Sequence, residues 1–123
     1  MITLHALKYS RATRVLWLLD GLGQPCKRID YDRTSDFGAP DALSKVHPLG
    51  KSPAIKDDGE MIAGLAAILR YLAAKFGDET HQPPHGSPVF WRHEAIFDYV
   101  ESSFAEVAMQ ATLPAFSGKD MPE

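Results

Sequence analysis

Few side chains in this sequence have the type and spacing that catalysis, a disulfide or metal binding requires. Cys26 is the only cysteine, so neither an intrachain disulfide nor a Cys-rich metal cluster can form. Among the five histidines, His81 and His85 have the i, i+4 spacing of a helical ligand pair, but the two prolines between them prevent a helix there. We therefore expect no metal site. Ser10 and Arg11 remain, because they stand where a helix is predicted to begin.

Ser10 and Arg11 occupy a position that favours negative charge. The first turn of a helix has unpaired backbone N–H groups, and the helix dipole adds positive potential at that end. A serine hydroxyl there can donate a hydrogen bond to an anion, and an arginine adds its own charge. Serine is also a preferred N-cap residue, and the residue type taken alone favours that structural role for Ser10.

Composition and charge narrow the class of protein. The 123 residues are 45% apolar and 24% charged, which is typical of a globular chain and not of a disordered one. Thirteen basic and sixteen acidic residues give a net charge of −3 without a basic block, which disfavours nucleic acid and anionic membranes as partners. The first residues do not resemble a signal peptide, and no apolar run approaches the ~20 residues that span a bilayer. We expect a cytoplasmic protein.

The first half of the chain alternates between strand and helix patterns. Strands are predicted over Ile2–Leu7 and Cys26–Tyr31. Between them, apolar residues recur at the spacing of one helix face: Val15, Leu18, Leu19 and Leu22. This helix is predicted to end at Gly21, Gly23 and Pro25. After a polar loop, a short helix is predicted over Ala39–Val46.

A hairpin and a further helix follow. Two short strands, Pro53–Lys56 and Glu60–Ala63, flank Asp57-Asp58-Gly59, where the Asp-Gly pair tolerates the positive φ of a tight turn. A second helical stripe, ended by Gly77, comprises Leu65, Ile68, Leu69, Leu72, Ala73 and Phe76. The order β-α-β-α-β-β-α predicts an α/β fold with a small mixed sheet. Its first strand–helix–strand unit requires a parallel pair with a right-handed crossover.

The last third of the chain predicts a linker and one more helix. Residues 78–88 contain three prolines and a glycine, which is typical of a linker. Beyond it, helical spacing connects Ile96, Val100, Phe104, Val107 and Ala111, and Pro114 is predicted to end the helix. We therefore predict a first domain over residues 1–77, a linker over 78–88 and a helical segment over 89–123.

Four motifs carry a resemblance to a known family. In chain order they are Met1–His5, Ser10-Arg11 with Arg14–Leu19, His47–Pro53, and Ala67-Ile68 with Tyr71-Leu72. Together they resemble the N-terminal half of glutathione S-transferases of a bacterial and fungal branch. The resemblance covers residues 1–77 and, more loosely, the helix after Pro88. It implies a thioredoxin-like domain followed by one helix of an all-helical C-terminal domain that is truncated in this chain.

The resemblance also implies a glutathione site, with glutathione as the co-substrate. Ser10 matches the residue that activates the thiol, and Arg11 would add positive potential, because the thiolate is the reactive form. Pro53 matches a cis-proline that would turn the backbone of Ser52 toward the cysteinyl backbone of glutathione. Lys51 matches a basic residue that meets the glycyl carboxylate.

Gly64 and Leu65 mark the chief departure from the family pattern. The family has Glu-Ser here, and these side chains hold the γ-glutamyl ammonium and carboxylate. Leu65 keeps its backbone N–H, and the helix start still attracts a carboxylate, but both side-chain contacts are lost. Hydrogen bonds to charged groups are worth about 1.5–3 kcal/mol each. Glutathione is therefore expected to bind roughly 10²- to 10⁴-fold more weakly.

Two classes of function stay open. A glutathione S-transferase-like enzyme would activate the thiol for attack on a small electrophile, and Ser10, Lys51 and Pro53 favour it. A non-catalytic thioredoxin-fold module for binding or dimerisation is favoured by Gly64-Leu65 and by the missing helices. A thioredoxin-type disulfide enzyme is disfavoured, because Ser10 stands where that chemistry needs a cysteine.

The final helix also predicts how the chain assembles. In the family its apolar residues, here Phe97, Val100, Phe104 and Val107, face other helices and the partner subunit. Exposed apolar patches usually mark an interface, so a two-fold homodimer is expected. The alternative is that the helix folds back and covers itself on its own domain.

Overall fold

A computed structural model describes the fold of residues 1–117. In chain order the elements are β1 (Ile2–Leu7), α1 (Ala12–Gly21), β2 (Cys26–Tyr31), α2 (Asp41–Val46), β3 (Ala54–Asp57), β4 (Glu60–Ala63), α3 (Leu65–Phe76), α4 (Phe90–Tyr99), a π-helical turn (Val100–Phe104) and α5 (Ala105–Ser117). The predicted α/β class and the order β-α-β-α-β-β-α are confirmed. β1, β2 and β4 have the predicted bounds, and α2 and β3 differ from theirs by one or two residues.

The four strands form one mixed sheet in the order β2-β1-β3-β4. β1 pairs with β2 in parallel, as the crossover through α1 requires, and with β3 in antiparallel register, where Leu4 lies opposite Ile55. β3 and β4 form the predicted hairpin. Because of these directions, the chain leaves β1, enters β3 and leaves β4 at the same end of the sheet. The segments after β1, before β3 and before α3 therefore converge there.

Apolar side chains from the sheet and two helices form the core of this unit. Its fully buried members include Leu4 and Ile55 from the sheet, Val15 and Leu19 from α1, and Ile68 and Leu72 from α3. Burying one such side chain is worth about 1.5–3 kcal/mol. Leu18 and Leu22 pack partly buried against this cluster, which accounts for the helical stripe predicted for α1. The core fixes the start of both helices relative to the sheet.

A polar cluster ties the hairpin to α3. The side chain of Asp57 is only 4% exposed, and its carboxylate accepts hydrogen bonds from the Lys75 ammonium at 2.7 Å and the Tyr71 hydroxyl at 3.0 Å. Lys75 also contacts Asp58 at 2.6 Å. Asp58 and Gly59 both have positive φ, as the predicted tight turn requires. The Lys75 ammonium lowers the pKa of Asp57, against the effect of burial, and the Tyr71 hydroxyl lowers it further.

The lowered pKa of Asp57 predicts a loss of stability in acid. A carboxyl whose pKa is lower in the folded state stabilises the protein above its unfolded pKa of about 3.9, and this contribution is lost as the pH falls through the folded pKa. We expect Asp57→Asn to reduce the free energy of unfolding by about 1–2 kcal/mol at pH 7 and to flatten its decline below pH ~4. Urea unfolding across pH 2–7 measures both, with exposed Glu60→Gln as the control. An unchanged acid slope in Asp57→Asn would contradict the assignment.

The structure separates the residues up to Gln82 from those that begin at Pro83, and each group is compact. The predicted boundaries at residues 77 and 88 stay a prediction, and residues 118–123 lie outside the described part of the chain. None of the helices within residues 1–117 combines the length and hydropathy that crossing a membrane requires.

The segment after Pro88 differs from its prediction. It is helical from Phe90 to Ser117, but the π-helical turn at Val100–Phe104 divides it. The prediction that Pro114 ends the helix is wrong, since Pro114 lies inside α5. A proline removes one backbone donor, whereas the residues after it can still donate to carbonyls one turn back. Several apolar side chains here are well exposed: Ile96 at 60%, Phe104 at 55% and Val107 at 66%.

Candidate functional site

Ser10 lies in the turn between β1 and α1, half-buried. The N-cap of α1 is Arg11, one residue later than the sequence predicts, and Arg11 makes no capping hydrogen bond through its side chain. The Ser10 hydroxyl instead accepts a hydrogen bond from the backbone N–H of Ala12 at 3.2 Å. Ser10 therefore satisfies one amide of the first turn from just outside the helix, and its proton remains available to an acceptor.

Ser52 joins the end of β1 to the segment that enters β3. Its Oγ accepts a hydrogen bond from the Leu7 N–H at 2.9 Å and donates one to the His5 carbonyl at 3.2 Å. The same oxygen lies 3.1 Å from the Ser10 Oγ. The peptide bond between Ser52 and Pro53 is cis. A pair of hydroxyl groups is thus held beside the cis-proline and the start of α1.

The start of α3 lies beside these two serines, and we call the region formed by Ser10, Ser52, Pro53 and Gly64 the corner. The N–H of Gly64 donates to the Pro53 carbonyl at 3.4 Å, and Leu65 begins the helix. Gly64 has φ +95°, a backbone conformation that costs a residue with a side chain about 1–3 kcal/mol. Leu65 is 6% exposed and belongs to the core. A glutamate at 64 would therefore be strained, and a serine at 65 would remove a buried apolar side chain.

Arg33, which the sequence analysis missed, fixes the turn that carries Ser10. Its guanidinium donates to three backbone carbonyls: Lys8 at 2.8 Å, Tyr9 at 2.9 Å and Phe37 at 2.7 Å. The guanidinium carbon also lies 4.3 Å from the centroid of the Phe37 ring, which stacks on Tyr9. Tyr9 has φ +55°, so the backbone just before Ser10 is strained and needs such support.

His5 lies on β1, one of the two inner strands, and its backbone carbonyl contacts Ser52. Its ring is buried, and its Nδ1 lies 2.8 Å from the Tyr31 hydroxyl. Burial lowers the pKa of His5, and the charge of nearby Lys56 lowers it further. The lowered pKa keeps the imidazole neutral at pH 7, so His5 adds no positive charge to β1.

The predicted site residues fall into two groups. Hydrogen bonds connect Ser10, Ser52, Pro53 and Gly64 around one corner of the sheet, and Leu65 begins the adjoining helix. Arg11 and Lys51 are the chain neighbours of the two serines, and no hydrogen bond to the corner connects Lys51 in the described part of the chain. Lys51 is exposed. Within residues 1–117, no three His, Cys, Asp or Glu side chains are grouped so that they could hold a metal ion.

The sequence that forms the first unit matches a known family over most of its length. Residues 4–83 match the glutathione S-transferase N-terminal domain family. The chain belongs to the glutathione S-transferase family. The resemblance inferred from the four sequence motifs is thereby confirmed, and so is the thioredoxin-like fold that it implied.

Individual glutathione S-transferases give the extent of the similarity. Glutathione S-transferase 3 of Schizosaccharomyces pombe is 49% identical over 77 residues, which are 63% of this chain and 31% of that protein. Glutathione S-transferase 1 of Saccharomyces cerevisiae is 38% identical over 87 residues, 66% of this chain and 37% of that protein. The chain thus spans about a third of the length of these two relatives.

A solved structure shows the same fold. The glutathione transferase homolog of Lodderomyces elongisporus, solved with two glutathione molecules per subunit, superposes with a TM-score of 0.82. It is 22% identical, and the alignment covers 98% of this chain and 59% of that one. At this identity the likeness supports the fold, while function has to be argued from the site.

Proposed function

We propose that this chain binds glutathione at the corner formed by Ser10, Ser52 and Pro53 and activates its thiol. The observation that carries the proposal is the Ser10 hydroxyl, which lies 3.1 Å from the Ser52 Oγ beside the cis-proline and the start of α1. A hydroxyl and a helix N-terminus both favour an anion at this point. They would stabilise the glutathione thiolate relative to the thiol.

The anchors for the rest of glutathione surround this point. The backbone of Ser52 would pair with the cysteinyl residue, and Lys51 would meet the glycyl carboxylate. The first turn of α3, beginning at Leu65, offers N–H groups to the γ-glutamyl carboxylate. Arg11, at the start of α1, would add positive potential near the sulfur.

The reaction that follows is a transfer of the glutathionyl sulfur to carbon. The thiol loses its proton to water or buffer, and the resulting thiolate attacks an electrophilic carbon. The sulfur lone pair forms the new S–C bond, and the leaving group departs with its bonding electrons. Where the electrophile is an activated alkene, the carbanion formed takes a proton from water. Such chemistry suits the cytoplasm, where thiols are kept reduced, and we place the protein there.

A non-catalytic binding or dimerisation module is the second candidate. It is favoured by Leu65, whose side chain lies in the core where the family pattern has a serine hydroxyl. With glutamate also replaced by Gly64, the γ-glutamyl group is held by backbone alone. The loss of these two side chains predicts weak glutathione binding. It does not affect the hydrogen bonds between Ser10 and Ser52.

Calorimetry of glutathione binding separates the two candidates. A free thiol has a pKa of about 8.5, so at pH 7 a site that lowers it must release protons on binding. Titrations in two buffers of different ionisation enthalpy measure this release. We expect glutathione to release a fraction of a proton and S-methylglutathione, which has no thiol proton, to release none. Binding of both ligands without proton release would contradict activation, and the absence of binding would favour the non-catalytic module.

The exposed apolar side chains after Pro83 support a homodimer. Of the residues predicted for the interface, Phe104 and Val107 are more than half exposed and Val100 is 37% exposed. Ile96 in the same segment is exposed as well. A two-fold pairing of two copies would remove this surface from water, which is favourable by about 25 cal/mol per Å². Sedimentation equilibrium at micromolar concentration tests this, and a single species at the monomer mass of 13.6 kDa would contradict it.

A further inference from the structure

The two hydroxyl groups at the corner have just enough protons for the contacts that they make without a ligand. A serine hydroxyl has one proton and two lone pairs. The Ser52 Oγ uses one lone pair for the Leu7 N–H and its proton for the His5 carbonyl. The 3.1 Å contact with Ser10 then requires the Ser10 proton to point at Ser52. In this arrangement the Ser10 proton is not directed at a ligand.

A bound thiolate changes this arrangement. If the Ser10 proton turns to the sulfur, two oxygen atoms 3.1 Å apart are left facing each other through lone pairs. The repulsion is relieved when the Ser52 proton turns from the His5 carbonyl to Ser10. The bond given up is the 3.2 Å contact with His5, the longest of the three that Ser52 makes with these neighbours.

The geometry points to Ser52 as a positioning residue whose hydroxyl, by donating to Ser10, turns the Ser10 proton toward the glutathione sulfur. The inference rests on the proposed function and extends it to a side chain for which only a backbone role was expected. Both protons stay on their oxygens, so the step is a rotation of two hydroxyl groups. Because hydrogen bonds in a chain polarise one another, Ser10 also becomes a better donor when Ser52 donates to it.

A purely structural role for Ser52 makes a different prediction. Its contacts with Leu7 and His5 link β1 to the segment before β3. If this link were its whole role, removing the hydroxyl would weaken every ligand of the corner equally. If Ser52 acts through Ser10, removing its hydroxyl weakens the binding of the thiolate more than the binding of a ligand without a thiol proton.

The test is a double-mutant cycle between Ser10→Ala and Ser52→Ala, with the thiol pKa of bound glutathione as the readout. Ultraviolet absorbance of the thiolate across a pH series gives that pKa. We expect Ser52→Ala to raise it by about half a unit to one unit when Ser10 is present, and not at all in the Ser10→Ala background. Ser52→Thr, which keeps the hydroxyl, is expected to give the same thiol pKa as the wild-type protein. The affinity for S-methylglutathione is expected to fall less than the affinity for glutathione at a pH where its bound thiol is ionised.

Several outcomes would overturn the inference. One is an equal rise in thiol pKa in both backgrounds, and another is no rise in Ser52→Ala while wild-type protein lowers the pKa normally. A wild-type protein that binds no glutathione overturns the proposed function as well, so the two failures are distinguishable. If Ser52→Ala does not fold, Ser52→Cys replaces it, because a thiol of similar shape is a weaker donor. That variant must then give a smaller rise that again requires Ser10.

Discussion

Replacing Ser10 with alanine is expected to lower kcat/KM for conjugation of glutathione with an activated aryl halide by about 10- to 100-fold. A hydrogen bond to a charged group is worth about 1.5–3 kcal/mol, and each 1.36 kcal/mol of transition-state stabilisation is tenfold in rate. Part of the loss appears as a higher thiol pKa, so the rise of kcat/KM with pH should shift to more alkaline values. Initial rates across pH 6–9 measure both effects.

The control for this prediction is Ser35→Ala, which removes an exposed serine hydroxyl from the loop after β2. It should leave the rate and its pH dependence unchanged. Ser10→Ala also loses the hydrogen bond from the Ala12 N–H, and such a hydrogen bond contributes about 0.5–1.5 kcal/mol to stability. Unfolding curves of the variant therefore accompany the rates. A Ser10→Ala protein that is folded and fully active would rule out Ser10 as the activating group.

Replacing Arg33 with alanine is expected to reduce the free energy of unfolding by about 2–3 kcal/mol, because one charged side chain holds three backbone carbonyls. Glutathione affinity should fall as well. The released turn through Tyr9 and Ser10 must be ordered again on binding, at about 1–2 kcal/mol per residue, so at least a tenfold loss is expected. Urea unfolding and calorimetry measure the two effects.

Arg28→Ala provides the matched control for Arg33. Arg28 pairs with Asp30 at 2.9 Å on the exposed edge strand β2, and such surface pairs contribute about 0–1 kcal/mol. Arg33→Lys adds a second comparison, since a single ammonium group cannot match a planar guanidinium at three separated carbonyls. Equal losses for Arg28→Ala and Arg33→Ala would show that the three contacts of Arg33 do not hold the Ser10 turn.

The elements that bury a repeating apolar face were predictable from the sequence. Val15 and Leu19 recur at helical spacing because α1 lies on the sheet, and the burial of Ile68 and Leu72 has the same cause in α3. The hairpin was predictable from Asp58-Gly59, since few residue pairs tolerate two successive positive φ angles. The place of Ser10 just before α1 was predictable because it depends on the boundary between the strand pattern of β1 and the helical pattern of α1.

The contacts that complete the corner have no such pattern. Arg33 binds carbonyls on two loops, and nothing in the residues around it distinguishes it from a solvated arginine. The Ser52 hydroxyl contacts Ser10, which lies 42 positions away in the chain. The spacing of residues in the sequence cannot predict a contact over that separation. The π-helical turn at Val100–Phe104 could not be predicted from the sequence for another reason. The apolar residues of this segment fit the 3.6-residue period of an α-helix. The wider π-helical turn changes only which side chains lie next to one another.

Three chain segments converge at one end of the sheet, and this convergence couples folding to ligand binding. The contact between Ser10 and Ser52 joins residues 42 positions apart and needs β1 beside β3, so only the complete sheet provides it. Glutathione binding as proposed needs the complete corner, so it would stabilise the native state relative to the unfolded chain. At ten times its Kd the ligand should add about 1.4 kcal/mol to stability. The melting temperature of the protein would then report ligand occupancy without any label or electrophile.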